Sequence, residues 1–140
     1  MRIKLPDDLK GQKISLPGER KPSKYRAQRT EYNGRWYDSM AEALHAEQLD
    51  MCMKAGIIAW WLPQVPIMIG EPGIDKPYRV DFLVAECPTF GGLVEVHAED
   101  VKGADTVSFR RHVKQWRLRG PFPLHVIRGD DTEIIEGGGG

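Results

Sequence analysis

The chain has little cysteine and no long apolar run, and each shortage excludes a class of protein. Cys52 and Cys87 are its two cysteines and form no C-x-x-C pair, so cysteines supply neither a disulfide framework nor a zinc site. No apolar run approaches the roughly 20 residues that a membrane helix needs. The first 20 residues lack the apolar core of a secretory signal. We therefore expect a cytoplasmic protein without a membrane partner.

Net charge is also absent, since 20 Lys and Arg balance 20 Asp and Glu. That balance alone argues against a nucleic-acid partner, but the charges are unevenly spread along the chain. Residues 1–35 carry +6, residues 36–104 carry −7, residues 105–120 carry +4 and residues 121–140 carry −3. Basic segments can neutralise phosphates and clustered carboxylates can hold a divalent cation, although charges also cluster on solvated faces with neither role.

A length of 140 residues, with 41% hydrophobic and 29% charged residues, predicts one globular domain. Residues 1–24 mix charges with Pro and Gly and predict a basic flexible arm. Residues 25–129 are expected to form the folded domain. Residues 130–140, acidic and then four glycines, predict a disordered tail.

Local patterns predict an α/β fold in the order β-hairpin, helix, three strands, helix, strand. Asn33-Gly34 predicts the hairpin turn, and Ser39 with Glu42 predicts a capping box at the start of the first helix. The later predicted elements are a helix over 38–55, strands over 66–70, 78–85 and 93–102, a helix over 105–119 capped by Asp105 or Thr106, and a strand over 124–127.

Two apolar groups are expected to pack in the core. Trp60 and Trp61 stand in an apolar run and are expected there rather than at a base-stacking surface. The second helix is expected to turn a stripe inward that consists of Val107, Phe109, Val113, Trp116 and Leu118.

Two strands carry carboxylates where an apolar face should continue. In the strand over 93–102, Asp100 and Lys102 follow an apolar stripe on the same face, and Asp81 stands among apolar residues in the preceding strand. If the strands are antiparallel neighbours, Asp81 and Asp100 lie close and repel each other unless a cation lies between them. The alternatives are a surface ion pair of Asp100 with Lys102, and a buried Asp81 paired with Arg79 or the backbone.

Five motifs follow one another along the chain: Lys24-Tyr25, Tyr37-Asp38-Ser39 to Ala43, Gln64-Val65-Pro66, Arg79-Val80-Asp81-Phe82 and Glu99-Asp100-Val101-Lys102-Gly103. The aspartates and the lysine of the last two motifs resemble the PD-(D/E)XK nuclease superfamily. The run from Lys24 to about Arg128 resembles a small phage-encoded family of such endonucleases related to junction-resolving nucleases. Val80 stands where the proline that names the superfamily precedes the aspartate.

The resemblance implies a restriction-endonuclease-like core, a mixed central sheet flanked by helices, and a DNA endonuclease that uses Mg²⁺, with Mn²⁺ as a substitute. It implies Asp81 and Asp100 as metal ligands and Glu42 as a further one, directly or through water. Lys102 would position the attacking water, and Gln64 would be an auxiliary site residue. The capping box explains Glu42 equally well without a metal.

The expected substrate is DNA, preferably a branched structure such as a Holliday junction, cut by a homodimer with two active sites. The alternatives are a sequence-tolerant nicking endonuclease and a non-catalytic DNA-binding module that keeps the nuclease fold. The basic residues expected to contact phosphates are Lys21, Lys24, Arg26, Arg29, Arg110, Arg111, Lys114 and Arg117, in the arm and the second helix.

The remaining titratable residues of the region are expected to be structural. Glu99 is one step out of phase with Asp100, so it should face the other side of the strand as a structural or solvated residue. The four histidines show no metal-ligand spacing and are expected to be polar or packing residues.

Overall fold

A computed structural model describes residues 28–88 and 91–139. They belong to two compact units that divide between Asp50 and Met51. The predicted basic arm over residues 1–24 lies outside the described residues. Neither helix of the described segments is long and apolar enough to cross a membrane.

The first unit contains the predicted hairpin and most of the predicted first helix. Strands β1 (Thr30–Tyr32) and β2 (Arg35–Tyr37) pair antiparallel, and the turn residues Asn33 (φ 52°) and Gly34 (φ 84°) adopt the positive φ that such a turn requires. Helix α1 (Met40–Lys54) follows, and Ser39 Oγ accepts a hydrogen bond from the Glu42 backbone N–H at 3.1 Å. The predicted hairpin, helix and helix cap are confirmed.

The second unit is built on a five-stranded mixed sheet in the order β3-β4-β5-β6-β7. Neighbouring strands are antiparallel except β5 and β6, which are parallel and joined by α2, as parallel neighbours require a crossover. The α/β class is confirmed. The elements are β3 (Ile58–Ile67), β4 (Tyr78–Glu86), β5 (Glu95–Val101), α2 (Val107–Arg119), β6 (Leu124–Arg128) and β7 (Asp131–Ile135).

Strand β3 is longer than predicted and begins eight residues earlier, at Ile58 rather than at residue 66. It lies at one end of the sheet's strand order, so it pairs on one side with β4. The expectation that Trp60 is a core residue is wrong, since its side chain is 40% exposed. Trp61 is half-buried and meets the Phe82 ring edge-on at 5.7 Å between centroids.

Helix α2 packs on the sheet through a narrower stripe than predicted. Phe109 and Trp116 are buried and Val113 is half-buried, at spacings of four and three residues that keep one helix face. Val107 and Leu118 are 75% and 69% exposed, because they lie about half a turn away from that stripe. The stripe packs against a buried cluster formed by Ile69, Tyr78, Val80, Ala98, Leu124, Val126 and Ile135.

The prediction of a disordered tail over residues 130–140 is wrong for the described part of that segment. Residues 131–135 form β7, which pairs antiparallel with β6. The glycines that follow lie against the end of α2, where Gly139 N–H donates to Gly120 O at 3.0 Å. Added Cβ atoms at Gly137 and Gly138 would lie 2.3 and 2.1 Å from α2-terminal carbonyl oxygens, so their lack of a side chain permits this approach. Composition alone does not reveal the pairing with β6 that places Ile135 opposite Leu124 in the core.

Replacing Ile135 with Ala is expected to lower the free energy of unfolding by about 3 kcal/mol, because Ile135 is 2% exposed in the core. The adjacent Ile134 is 55% exposed, so Ile134→Ala on the same strand is the matched control, with a loss below about 1 kcal/mol. Denaturant unfolding measures both values. Equal, small losses would mean that β7 does not pack in solution.

Candidate active site

Asp81 on β4 and Asp100 on β5 are joined by two reciprocal hydrogen bonds. The Asp81 backbone N–H donates to Asp100 Oδ1 at 2.8 Å, and the Val101 backbone N–H donates to Asp81 Oδ2 at 2.8 Å. The bonds lie just beyond Phe82↔Glu99, a paired position of the two strands. Each carboxylate therefore has one oxygen fixed by the neighbouring strand. The two aspartates lie close together, as predicted.

The Asp100 carboxyl group is almost fully buried, with 1% exposure. Burial raises its pKa to about 6, against the opposing effects of the Lys102 ammonium and the Asp81 N–H. Its Oδ2 atom is buried and has no hydrogen-bond partner among the described residues. A buried carboxylate oxygen without a hydrogen bond is uncommon and marks a site where a further ligand or a function is expected.

Lys102 stands between this carboxylate and helix α2. Its Nζ atom is 3.7 Å from Asp100 Oδ2 and 4.6 Å from the centre of the Phe109 ring. Its backbone N–H donates to Ile127 O on β6 at 2.9 Å, which fixes the start of the side chain. The ion pair of Asp100 with Lys102, one of the alternatives that the sequence left open, is present, but Asp100 is buried rather than at the surface.

Gln64 on β3 lies opposite Asp81, since the flanking pairs are Pro63↔Phe82 and Val65↔Val80. Its φ of 53° is in the left-handed region, which costs a residue other than Gly roughly 1 kcal/mol or more. At Asp81 the regular alternation of side chains between the two faces of the sheet is interrupted along β4. Val80 packs in the core cluster with Ala98, whereas Phe82 opposes Glu99 on the other face of β5. Gln64, Asp81 and Asp100 thus lie side by side on three adjacent strands.

Glu42 lies on α1 in the first unit and is 9% exposed. Its Oε2 accepts a hydrogen bond from Ser39 Oγ at 3.2 Å, and its backbone N–H donates to the same hydroxyl. The capping interpretation of Glu42 therefore accounts for its position in the first unit.

The basic residues of α2 form a solvent-facing surface. Arg110, Lys114 and Arg117 are exposed at spacings of four and three residues, which places them along one stripe, and exposed Arg111 pairs with Asp75 at 2.9 Å. In the first unit, the exposed Arg29 guanidinium lies 5.5 Å from the centre of the Trp36 ring. The predicted phosphate-binding residues Lys21, Lys24 and Arg26 lie outside the described residues.

A second group of titratable side chains lies on the opposite face of β5, where no functional residue was predicted. His97, Glu99 and His125 each place one ligand atom within 4.8 Å of the others, and such a group could hold a metal ion. Glu99 does face away from Asp100 as predicted, but it is buried at 8% exposure rather than solvated.

The four histidines show no metal-ligand spacing along the chain, but the fold brings His97 and His125 together in space. The alternation of His97 and Glu99 is visible in the sequence, but β6 pairs in parallel with β5 after a long crossover, and only that register places His125 beside Glu99. Cys52 and Cys87 are both free in the described part of the chain, in agreement with the sequence. Comparisons of the chain with models of protein families, with curated proteins and with solved structures gave no match.

Proposed function

We propose that the protein is a metal-dependent DNA endonuclease of the PD-(D/E)XK type with a restriction-endonuclease-like core. One observation carries the proposal: Asp81 and Asp100 are held side by side on adjacent strands, with the Lys102 amine 3.7 Å from the buried Asp100 carboxylate. Two neighbouring carboxylates and a lysine at the end of a sheet are the groups that metal-assisted phosphodiester hydrolysis requires.

The residues fit a Mg²⁺ ion, which binds oxygen atoms and takes only one or two carboxylates beside water and substrate phosphate. Asp100 Oδ2, which makes no hydrogen bond within the described segments, is an oxygen available to such an ion, and Asp81 supplies the second carboxylate. Glu42, which the resemblance implies as a further ligand, lies in the first unit, where it pairs with Ser39 at the start of α1. When bound, Mg²⁺ would stabilise the charge that develops on the phosphate and lower the pKa of a bound water, and Mn²⁺ would substitute for it.

Lys102 would act on the attacking water by donating a hydrogen bond that holds its lone pair toward the phosphorus atom. The Phe109 ring beneath the ammonium and the Asp100 carboxylate beside it restrict where Nζ can lie. Gln64 would contribute as an auxiliary residue from β3, where its unusual backbone conformation opposes Asp81.

DNA would be held through its phosphates by the basic surface of α2, and Arg29 and the basic residues of the arm are further phosphate contacts expected from the sequence. Such contacts carry no sequence information, so we propose recognition of DNA structure, with branched DNA such as a four-way junction preferred. Symmetric cuts on two strands require two active sites, and we therefore propose a homodimer.

The proposal is tested by incubating the full chain with four-way junction, flap, linear duplex and single-stranded DNA in Mg²⁺, Mn²⁺ or EDTA. We expect metal-dependent cleavage of the junction by a species of twice 15.9 kDa, measured by light scattering. Asp81→Ala and Lys102→Ala should each reduce the cleavage rate by at least about 100-fold. The controls Asp130→Asn and Lys76→Ala alter exposed residues and should leave the rate unchanged.

Cleavage that survives EDTA, or both active-site substitutions, would contradict the proposal. Equal rates on linear duplex and junction would favour a sequence-tolerant nicking endonuclease. Salt-sensitive DNA binding that is unchanged in Asp81→Ala, with no cleavage in any metal, would indicate a non-catalytic binding module.

A further inference from the structure

His97, Glu99 and His125 form a compact cluster on the face of the sheet that does not carry Asp100. His97 Nε2 lies 2.6 Å from Glu99 Oε2, and the imidazole rings of His97 and His125 stack with 3.9 Å between centroids. Glu99 and His125 are direct neighbours in the parallel pairing of β5 and β6, so the backbone holds them together. His97 is 5% and Glu99 8% exposed, and His125 is half-buried.

The His97 ring has a nitrogen that the described residues leave unsatisfied. Nδ1 is buried and makes no hydrogen bond within residues 28–88 and 91–139, although Glu86 Oε2 lies 3.4 Å away. Burying a polar nitrogen without a hydrogen bond costs free energy that a purely structural role would not require. The arrangement is instead typical of a metal site, where one imidazole nitrogen binds the ion and a carboxylate contacts the other nitrogen.

We propose that His97, Glu99 and His125 bind one Zn²⁺ ion, with a fourth coordination position left for water or another small ligand. The ligand atoms would be Nε2 of His97, an imidazole nitrogen of His125 and a carboxylate oxygen of Glu99. Glu86 would accept a hydrogen bond from Nδ1–H of His97 and so fix the tautomer that coordinates the ion. Two imidazoles and one carboxylate select Zn²⁺ over Mg²⁺, which binds oxygen ligands.

The chemistry of the surroundings agrees with this assignment. A metal binds neutral imidazole, and the half-buried His125 ring is stacked on the buried His97 ring. Ion binding would replace the direct contact between His97 Nε2 and Glu99 Oε2. It would also tie β5 to β6 directly behind Asp100, since Glu99 and Asp100 are consecutive residues. The site does not depend on the proposed nuclease activity, because its ligands are different residues.

The test uses the full chain, stripped of metal and titrated with Co²⁺, whose visible absorption reports a four-coordinate site, and then with Zn²⁺ as competitor. We expect saturation at one equivalent and displacement by Zn²⁺. His125→Gln and Glu99→Gln should each weaken binding at least 10-fold. His112→Gln is the matched control, since His112 is a half-buried histidine of the same unit that stacks on Tyr78 and lies outside the cluster.

Thermal unfolding separates loss of the site from loss of the fold. Zn²⁺ should raise the unfolding temperature of the wild-type chain and of His112→Gln but not that of His125→Gln, whose folding in the absence of metal is checked by the same melt. The proposal is overturned if the wild-type chain shows no saturable Co²⁺ absorption, or if binding persists in both His125→Gln and Glu99→Gln. Binding that is lost on replacing Cys52 and Cys87 with Ser would likewise overturn it.

Discussion

Replacing Asp100 with Asn is expected to stabilise the metal-free protein at neutral pH and to abolish metal-dependent cleavage. The Asp100 carboxyl group is buried, and burial raises its pKa from 3.8 to about 6. Each unit of that difference corresponds to about 1.4 kcal/mol, so the ionised carboxylate lowers stability by about 2–3 kcal/mol. Asn has nearly the same shape, carries no charge, and keeps an oxygen that can accept from the Asp81 N–H.

The sign of the pH dependence follows from the raised pKa. Between pH about 4 and about 6 the folded chain binds the Asp100 proton more tightly than the unfolded chain, so the stability of the wild-type protein falls as pH rises through this window. The advantage of Asp100→Asn should therefore be complete above pH about 6 and vanish near pH 4. Urea unfolding in EDTA at several pH values measures it.

The matched control is Asp130→Asn, which removes an exposed carboxylate from the same unit and should change stability by less than about 0.5 kcal/mol at any pH. In Mg²⁺, Asp100→Asn should cut junction DNA at least about 100-fold more slowly than the wild-type chain, because a neutral amide is a poor ligand for the ion. A variant that is less stable than wild type at pH 8 would mean that the ion pair with Lys102 outweighs the desolvation of Asp100.

Local patterns predicted the elements that local chemistry determines. The positive φ of Asn33 and Gly34, the Ser39 cap and the Thr106 cap of α2, whose hydroxyl accepts from Phe109 N–H at 3.0 Å, each depend on residues within four positions of one another. The sequence predictions are wrong where pairing with a strand that is distant in the sequence determines the local structure. Residues 131–135 have an acidic composition, and only pairing with β6 turns them into a strand.

The features of the candidate site also separate into those that local patterns predict and those that depend on the folded sheet. Alternation along β5 was enough to place Asp100 and Glu99 on opposite faces, and antiparallel pairing with β4 brought Asp81 to Asp100 as expected. The left-handed backbone of Gln64 and the change of faces along β4 have no local sequence signal, because no Gly or bulge motif marks them. The register between β5 and β6, which assembles the histidine cluster, is likewise a property of the folded sheet.

Replacing Trp116 with Ala is expected to lower the free energy of unfolding by about 3–5 kcal/mol, a large fraction of the 5–15 kcal/mol typical of a domain. Trp116 is fully buried, and its Nε1–H donates to Phe122 O at 2.7 Å. Trp116→Phe should lose about 1–2 kcal/mol, since it keeps an aromatic ring and removes the hydrogen bond. Denaturant unfolding separates these contributions, and equal losses in both variants would assign the effect to the hydrogen bond alone.

A substitution at Gly120 tests whether the Trp116 ring packs against the end of α2. A Cβ atom at Gly120 would lie 2.5 Å from Cδ1 and Nε1 of Trp116, so Gly120→Ala alone should cost about 1–3 kcal/mol. In the Trp116→Ala background the ring is absent, and the same change should cost less than about 0.5 kcal/mol, which gives a double-mutant coupling of at least about 0.5 kcal/mol. Additive losses would show that Gly120 is required for another reason. Because α2 also carries Phe109, whose ring lies beneath Lys102, loosening Trp116 should slow any Lys102-dependent cleavage before the domain unfolds.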